Sequence, residues 1–484
     1  MPRKDKKTLV VSAVATAFFI VANFVAQSKD VNLLILLPLS GLVALLFILR
    51  LEAGMLLMAL LTPFAVTLSF GGSMRLSMPV EPMLALFSLM FLFRVGLSGG
   101  YDWQLLRHPV SVAVLASIGW FLVTACTSLL PWVSFKYLAA RLWFVIPFFF
   151  AAAQVFRAPG RIRQVFWCYA LGLAGVVIYS TARSVSGFSD LQTLHRAMTP
   201  FYNDHTAYGC ALALVMPVAV HLAVGRKGRV QGLMLPLLAL LLLGLGLSYS
   251  RAAWISVVTA AGVFVLVRLG LRVRWMLLLF ALGVGVFFYY QNDVLYQLGK
   301  NRQDSSLDLK GQIESISNIS TDASNVERLN RWASALRLWR ERPILGTGPG
   351  TYQFLYASQQ RSYQLSTIST NAGNLGNAHS EYIGPLAEQG VVGAALVAAV
   401  FALTFAAGVR VYRTAKDTAI ANLALALTLG LLTYYVHGIF NDFLDTDKLS
   451  VPFWAFTAAV VALDVYAEKT EAQGMPRRQT TVAP

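Results

Sequence analysis

Residues 230–267 read VQGLMLPLLALLLLGLGLSYSRAAWISVVTAAGVFVLV, and Arg251 is the one charged side chain among them. An α-helix rises 1.5 Å per residue, so about 20 apolar residues cross a hydrocarbon layer of roughly 30 Å. The stretch therefore holds two membrane spans, Val230 to Tyr249 and Ala252 to Val267. They meet at Ser248-Tyr249-Ser250-Arg251, which is too short for anything but a tight hairpin or a re-entrant kink.

The same pattern recurs in both directions. Upstream lie Thr8 to Val25, Val31 to Leu49, Leu51 to Phe70, Val80 to Leu97, Val110 to Leu130, Tyr137 to Phe156, Ile162 to Val185 and Thr206 to Val224. Downstream lie Val273 to Tyr290, Tyr382 to Val409, Thr418 to Phe440 and Val451 to Val465. The expected fold class is all-α, a polytopic transmembrane helical bundle of about 12–14 spans. Composition agrees: 57% of residues are hydrophobic and 13% are charged, against roughly 25% charged in soluble domains. The run behind Met1 to Lys7 has no small-residue cleavage site after it, so it reads as a retained first helix and not as a signal peptide. Cys126, Cys168 and Cys210 all fall inside apolar runs, which leaves neither a disulfide framework nor a metal site, and no cofactor is expected.

A net charge of +16 in a soluble protein would point to nucleic acid. Here the cytoplasmic bias of Lys and Arg accounts for it, and no nucleic-acid partner is expected. With both termini cytoplasmic, 22 of the 39 basic residues fall inside, nine in one long outer loop and eight in the short outer segments. The chain then divides into a bundle over 1–290, an outer loop over 291–381, a second set of spans over 382–467 and a cytoplasmic tail over 468–484. No repeat of 20–50 residues is found, which weighs against a carrier built from repeats.

The long loop opens with a Ser/Asn/Asp-rich stretch from Gln303 to Asn325. A helix is expected from Val326 to Arg340, where Leu329, Trp332, Leu336 and Trp339 form one apolar stripe suited to lie on the membrane or roof a cavity. Pro343 ends it, and Gly346-Thr347-Gly348-Pro349-Gly350 makes a tight turn. That turn lacks the Lys-Ser/Thr of a phosphate loop, so no nucleotide site is expected.

The orientation gathers ionisable groups from separate places at the outer boundary, where such groups mark a ligand path. Arg251 is either a snorkelling arginine or a planar fork for a phosphate. Arg328 and Arg331 make a salt bridge with Glu327 or contact substrate. His379, in Asn377-Ala378-His379-Ser380-Glu381-Tyr382, packs or caps the next helix, or is a general base kept neutral by that helix's amino terminus. Asp442 is a helix-end acid or orients a cation or base. His205 is a weaker candidate, and Glu381 a possible supporting one.

Two motifs carry a family resemblance. Arg328-Leu329-Asn330-Arg331-Trp332-Ala333-Ser334-Ala335-Leu336 with Arg342-Pro343-Ile344-Leu345-Gly346-Thr347-Gly348-Pro349-Gly350-Thr351-Tyr352 resembles the loop signature of the O-antigen ligase and polymerase superfamily. The segment Asn377 to Tyr382 running into Leu386 to Gly393 resembles its histidine segment. Trp332 stands where the ligases often have Leu, and Ser380 where Asn commonly follows the histidine.

The resemblance implies a GT-C-like helical membrane bundle with a periplasmic loop in the bacterial inner membrane. It implies metal-independent transfer of a glycan from undecaprenyl diphosphate to a hydroxyl of lipid A core, another glycan or a protein. It implies His379 as catalytic base, Arg251 and Arg328 on the diphosphate, with Arg331 beside them, and membrane lipids as surroundings. The rival readings are a polymerase of the same superfamily, a lipid-linked oligosaccharide flippase, and a peptidoglycan polymerase of the shape, elongation and division type. A carrier would place its charges at mid-bilayer, whereas these gather at one face.

Overall fold

A computed structural model describes residues 36–70, 74–184, 191–224, 229–276, 278, 281–282, 285, 323–365, 369 and 376–474. The expected span Thr8 to Val25, most of Val273 to Tyr290 and most of Gln303 to Asn325 lie outside these residues. The chain forms two units, residues 1–54 and 55–484. The first contributes helix α1 (Leu36–Leu49).

The second unit is helical apart from one β-hairpin among the described residues. After α2 (Leu51–Leu61) come α3 (Val80–Ser98), α4 (Pro109–Cys126) and α5 (Pro131–Val145), the last running on through a π-helical turn to Val155. Then follow α6 (Pro159–Ser184), α7 (His205–Val224), α8 (Arg229–Leu247) and α9 (Arg251–Arg268). The loop helix α10 (Ala323–Glu341) precedes α11 (Ile383–Thr414), α12 (Thr418–His437) and α13 (Asp447–Gly474). Nine helices among the described residues are long and apolar enough to cross a membrane.

Local chemistry sets their ends. Asp417 caps α12 by accepting the Ala419 amide at 2.7 Å, His108 Nδ1 accepts the Val110 amide at the start of α4, and Gly99 closes α3 in the left-handed conformation. The core lies on α7, α12 and α13. The spanning window of α13 is 89% buried, against 22% for α9. An apolar helix buried all round is central, and one with an exposed apolar face borders lipid. Gly430 of α12 permits a close crossing, because a Cβ there would lie 2.5 Å from the Leu214 carbonyl oxygen of α7.

The expected span Leu51 to Phe70 is corrected. The helix ends at Leu61, Pro63 sits in a 3₁₀ turn, and Val66–Phe70 pairs antiparallel with Met74–Met78, Val66 opposite Met78. Apolar length alone does not separate strand from helix, and Pro63 cannot continue the helical ladder. The hairpin is tied to the start of α13: Lys448 Nζ donates to the Thr62 and Ala65 carbonyls at 2.8 and 2.6 Å, and Ser77 Oγ donates to Asp447 at 2.9 Å.

The loop helix forms as expected and stops before Pro343. Its buried face is Leu329, Trp332, Ala335 and Leu338, packed on Tyr352, Tyr356, Ile383 and Ala387. Leu336 and Trp339 are only half-buried, so the stripe is turned by one position from the expected one.

The turn 346–350 docks into a break in α11. Gly390 has φ 68° and ψ −170°, which interrupts the helix. The Ala387, Glu388 and Gln389 carbonyls then accept from the Thr347 amide (3.0 Å), the Gly348 amide (2.8 Å) and Trp120 Nε1 (2.8 Å). The two Glu388 carboxylate oxygens take the Gly350 and Tyr352 amides, each at 2.9 Å. Side chains are excluded from this junction: a Cβ on Gly346 would lie 2.3 Å from the Glu388 backbone, and one on Gly348 would lie 2.0 Å from Ser128 Oγ. Both glycines have positive φ, the region that L side chains avoid.

Candidate active site

A cavity of about 400 Å³ opens where the loop helix, the start of α11, the segment after α12 and the side of α5 converge. His379, Arg331, Glu381 and Asp442 all line it, as four of the residues singled out by sequence.

His379 has φ 51°. Among the described residues, only it and Tyr249 are non-glycines in the left-handed region. Such backbone costs about 1–3 kcal/mol and persists where surrounding contacts impose it. The Trp332 indole donates to the His379 carbonyl at 3.4 Å, pinning the strained residue to the loop helix. No described residue hydrogen-bonds the ring. Burial, then the Arg328 and Arg331 guanidinium groups, push its pKa down to about 3. The imidazole is therefore neutral, but not for the reason read from sequence. α11 begins only at Ile383, and it is burial and arginines, more than a helix terminus, that exclude the proton. Ser380 Oγ faces that helix start, within 3.3 and 3.4 Å of the Tyr382 and Ile383 amides.

The loop arginines are held differently. Arg331 Nε pairs with Glu327 at 2.8 Å in a buried salt bridge, its Nη1 donates to the Asn377 carbonyl at 3.1 Å, and its guanidinium lies 4.8 Å from the Tyr356 ring centre. Arg328 Nε donates to the Phe440 carbonyl at 3.2 Å. Both cations are fixed beside His379.

Glu381 is a structural carboxylate at the cavity wall. Its Oε1 accepts the Phe443 and Leu444 amides at 2.9 and 3.0 Å and the Tyr434 hydroxyl, shaping the segment that carries Asp442. Asp442 Oδ1 is buried without a hydrogen-bond partner. Burial, then Asp445, Glu381 and Glu388, raise the Asp442 pKa well above the usual carboxylate value. Burial followed by Glu381 lifts Asp445 to about 6, with Arg141 opposing.

Arg141 of α5 was not singled out by sequence, although it lines the cavity. Its Nη1 donates to the Leu444 carbonyl at 3.2 Å, and no other hydrogen bond to it is made by a described residue. A charge five residues into an expected span is a signal of the same kind that drew attention to Arg251.

Arg328 does not line this cavity, and neither do Arg251 and His205. His205 stacks on His195 with ring centres 3.8 Å apart and planes within 1°, and its Nδ1 lies 3.3 Å from Asp204. Burial, then His205, with Arg251 also acting, push the His195 pKa down to about 4. This second group lies within electrostatic reach of the first, since the Asp204 charge acts on His379.

A largely helical polytopic membrane protein with a loop segment docked over a half-buried, arginine-flanked histidine is the class that fold and site define. Residues 236–398 match the family described as O-antigen ligase, from within α8 through the loop helix and His379 into α11. This bears out the resemblance read from the loop and histidine motifs. No curated protein matches the chain.

Proposed function

We propose that the protein is a glycosyltransferase of the O-antigen ligase type that moves a glycan from undecaprenyl diphosphate to an acceptor hydroxyl at the periplasmic face of the inner membrane. The observation that carries this reading is His379: a neutral imidazole, open to a cavity, flanked by two fixed arginines, within the stretch that matches the ligase family. In the step, the acceptor hydroxyl gives its proton to the imidazole as its oxygen bonds to the anomeric carbon. The bond from that carbon to the phosphate oxygen breaks, and the diphosphate leaves with the electron pair. Arg328 and Arg331, with Arg251 from the neighbouring group, offset the charge that develops on it.

The same arginines tune the base. With the cavity empty of anions they suppress protonation of His379. A diphosphate beside them cancels that field and raises the affinity of the imidazole for a proton, so the base strengthens when the donor arrives.

Purified protein in lipid is supplied with undecaprenyl-diphosphate glycan and separate acceptors. New glycosidic bonds are expected from the native chain and none from His379→Ala. A single product per acceptor identifies a ligase and a ladder identifies a polymerase. Movement of the donor across the bilayer without bond formation, or full transfer by His379→Ala, overturns the reading.

A further inference from the structure

In α11 the stretch 391–409 holds no charged side chain, and Arg410 follows it. At 1.5 Å rise per residue this stretch covers about 28 Å, the thickness of the hydrocarbon layer. Val391 therefore stands at one edge of that layer, on the side of the loop helix.

Hydrogen bonds bring other segments to the same level. The Val391 amide donates to the Pro343 carbonyl at 2.9 Å, and the Leu129 amide donates to the Thr347 carbonyl at 2.9 Å. Arg342 Nη1 donates to the Thr127 carbonyl at 3.2 Å. The 342–347 turn, which the sequence places in a long polar loop, thus lies at the edge of the hydrocarbon beside the connection from α4 to α5.

What these segments leave open is apolar. Ile344 is 59% exposed, Trp132 82%, and Leu129 and Val391 each 49%. Indole rings gather where acyl chains meet head groups. Cations flank the patch. Lys136 is exposed one helical turn along α5 from Trp132, and a lysine so placed reaches the head groups by extending its stem. Arg340 is exposed as well, and its Cα, three residues before Pro343, lies within about 10 Å of that level. Glu341, between the two arginines, is turned to Gln359 Nε2 at 3.0 Å. An apolar, indole-bearing face rimmed by cations complements lipid with anionic head groups.

We propose that the 342–347 turn, with Leu129 and Trp132, is embedded at the hydrocarbon edge of the leaflet on the loop side, and that Lys136 and Arg340 hold the phosphates of anionic phospholipids there. Gly350 and Tyr352, just beyond this turn, line the cavity. The leaflet therefore supports one cavity wall, whatever the cavity binds.

The test uses the full chain in nanodiscs of phosphatidylglycerol and phosphatidylcholine, each lipid in turn carrying a photoreactive carbene precursor at the head-group end of one acyl chain. Label is expected in 127–136 and 340–347 as well as in 391–409. Ile344→Asp is expected to lower label in 340–347 about fivefold and Trp132→Asp to do the same in 127–136, while Ile344→Leu keeps it, because a carboxylate is excluded from the hydrocarbon edge. The phosphatidylglycerol probe is expected to label the patch about threefold more than the phosphatidylcholine probe, a preference lost in Lys136→Gln combined with Arg340→Gln. Label in 391–409 that spares 340–347, or label in 340–347 undiminished by Ile344→Asp, overturns the embedding. Absence of label together with cross-linking of 340–347 to a second copy overturns it in favour of a protein interface. Equal labelling of the native chain by both probes overturns the head-group assignment.

Discussion

Arg331 Nε lies 2.8 Å from Glu327 Oε1, and each side chain is only 6% exposed. An ion pair so withdrawn from water holds its geometry at the cost of desolvating both charges, and removing one partner strands the other.

Glu327→Gln is therefore expected to destabilise the protein by about 3 kcal/mol, because Arg331 keeps its charge and loses its counterion. Arg331→Met combined with Glu327→Leu is expected to recover most of that loss. Thermal unfolding in detergent reads both. A single variant as stable as the native chain would show that the pair carries no such load.

The two pH profiles of transfer are expected to differ. His379 has a pKa near 3 in the free protein, so its protonation should not reduce kcat/KM as pH falls from 8 to 5. In kcat, which reports the donor complex, the His379 limb is expected at higher pH, because the diphosphate offsets Arg328 and Arg331. Arg328→Gln removes one of the cations that depress His379, so its kcat/KM limb moves up toward the ordinary histidine value. Coincident limbs in kcat and kcat/KM, unmoved by Arg328→Gln, would count against the electrostatic account.

Asp442 gives a stability prediction of definite sign. The folded protein keeps a proton that the unfolded chain releases near pH 3.8, so stability falls as pH rises from that value toward the raised folded one. Asp442→Asn removes this loss. Its melting temperature is expected to exceed that of the native chain at pH 7 and to match it near pH 4. A lower melting temperature at pH 7 would show that the ionised carboxylate is stabilised in the fold.

Gly348→Ala is expected to cost about 2 kcal/mol or more, since the added carbon meets Ser128 Oγ and the backbone sits at φ 110°. Hydrogen exchange across 343–352 should rise before any change in α7 or α12. Unchanged exchange there would mean that the turn tolerates a side chain.

The membrane spans were legible because length and missing charge are one-dimensional properties, and the loop helix because its period is local. The strands at 66–78 were not, since an apolar run carries no mark of helix or strand until Pro63 is given its weight. His379, Arg331 and Asp442 were legible as polar groups at one boundary. That Arg251 and His205 form a neighbouring group around His195 was not, because it depends on ring stacking across nine intervening residues. Glu381, read from sequence as a possible supporting residue, holds the Asp442 segment through the Phe443 and Leu444 amides on its carboxylate, contacts that only the fold reveals.

The break at Gly390 carries a consequence for biogenesis. The Ala387, Glu388 and Gln389 carbonyls accept from Thr347, Gly348 and Trp120, and the Val391 amide donates to the Pro343 carbonyl outside the helix. Lipid offers no substitute donors. Inserting the hydrophobic segment is therefore not enough to mature this protein: the 343–352 turn must be threaded into place before α11 is chemically complete. A chain from which the 343–352 turn is deleted would leave the Ala387 and Glu388 carbonyls of α11 without these donors, a ready mark for quality-control proteolysis.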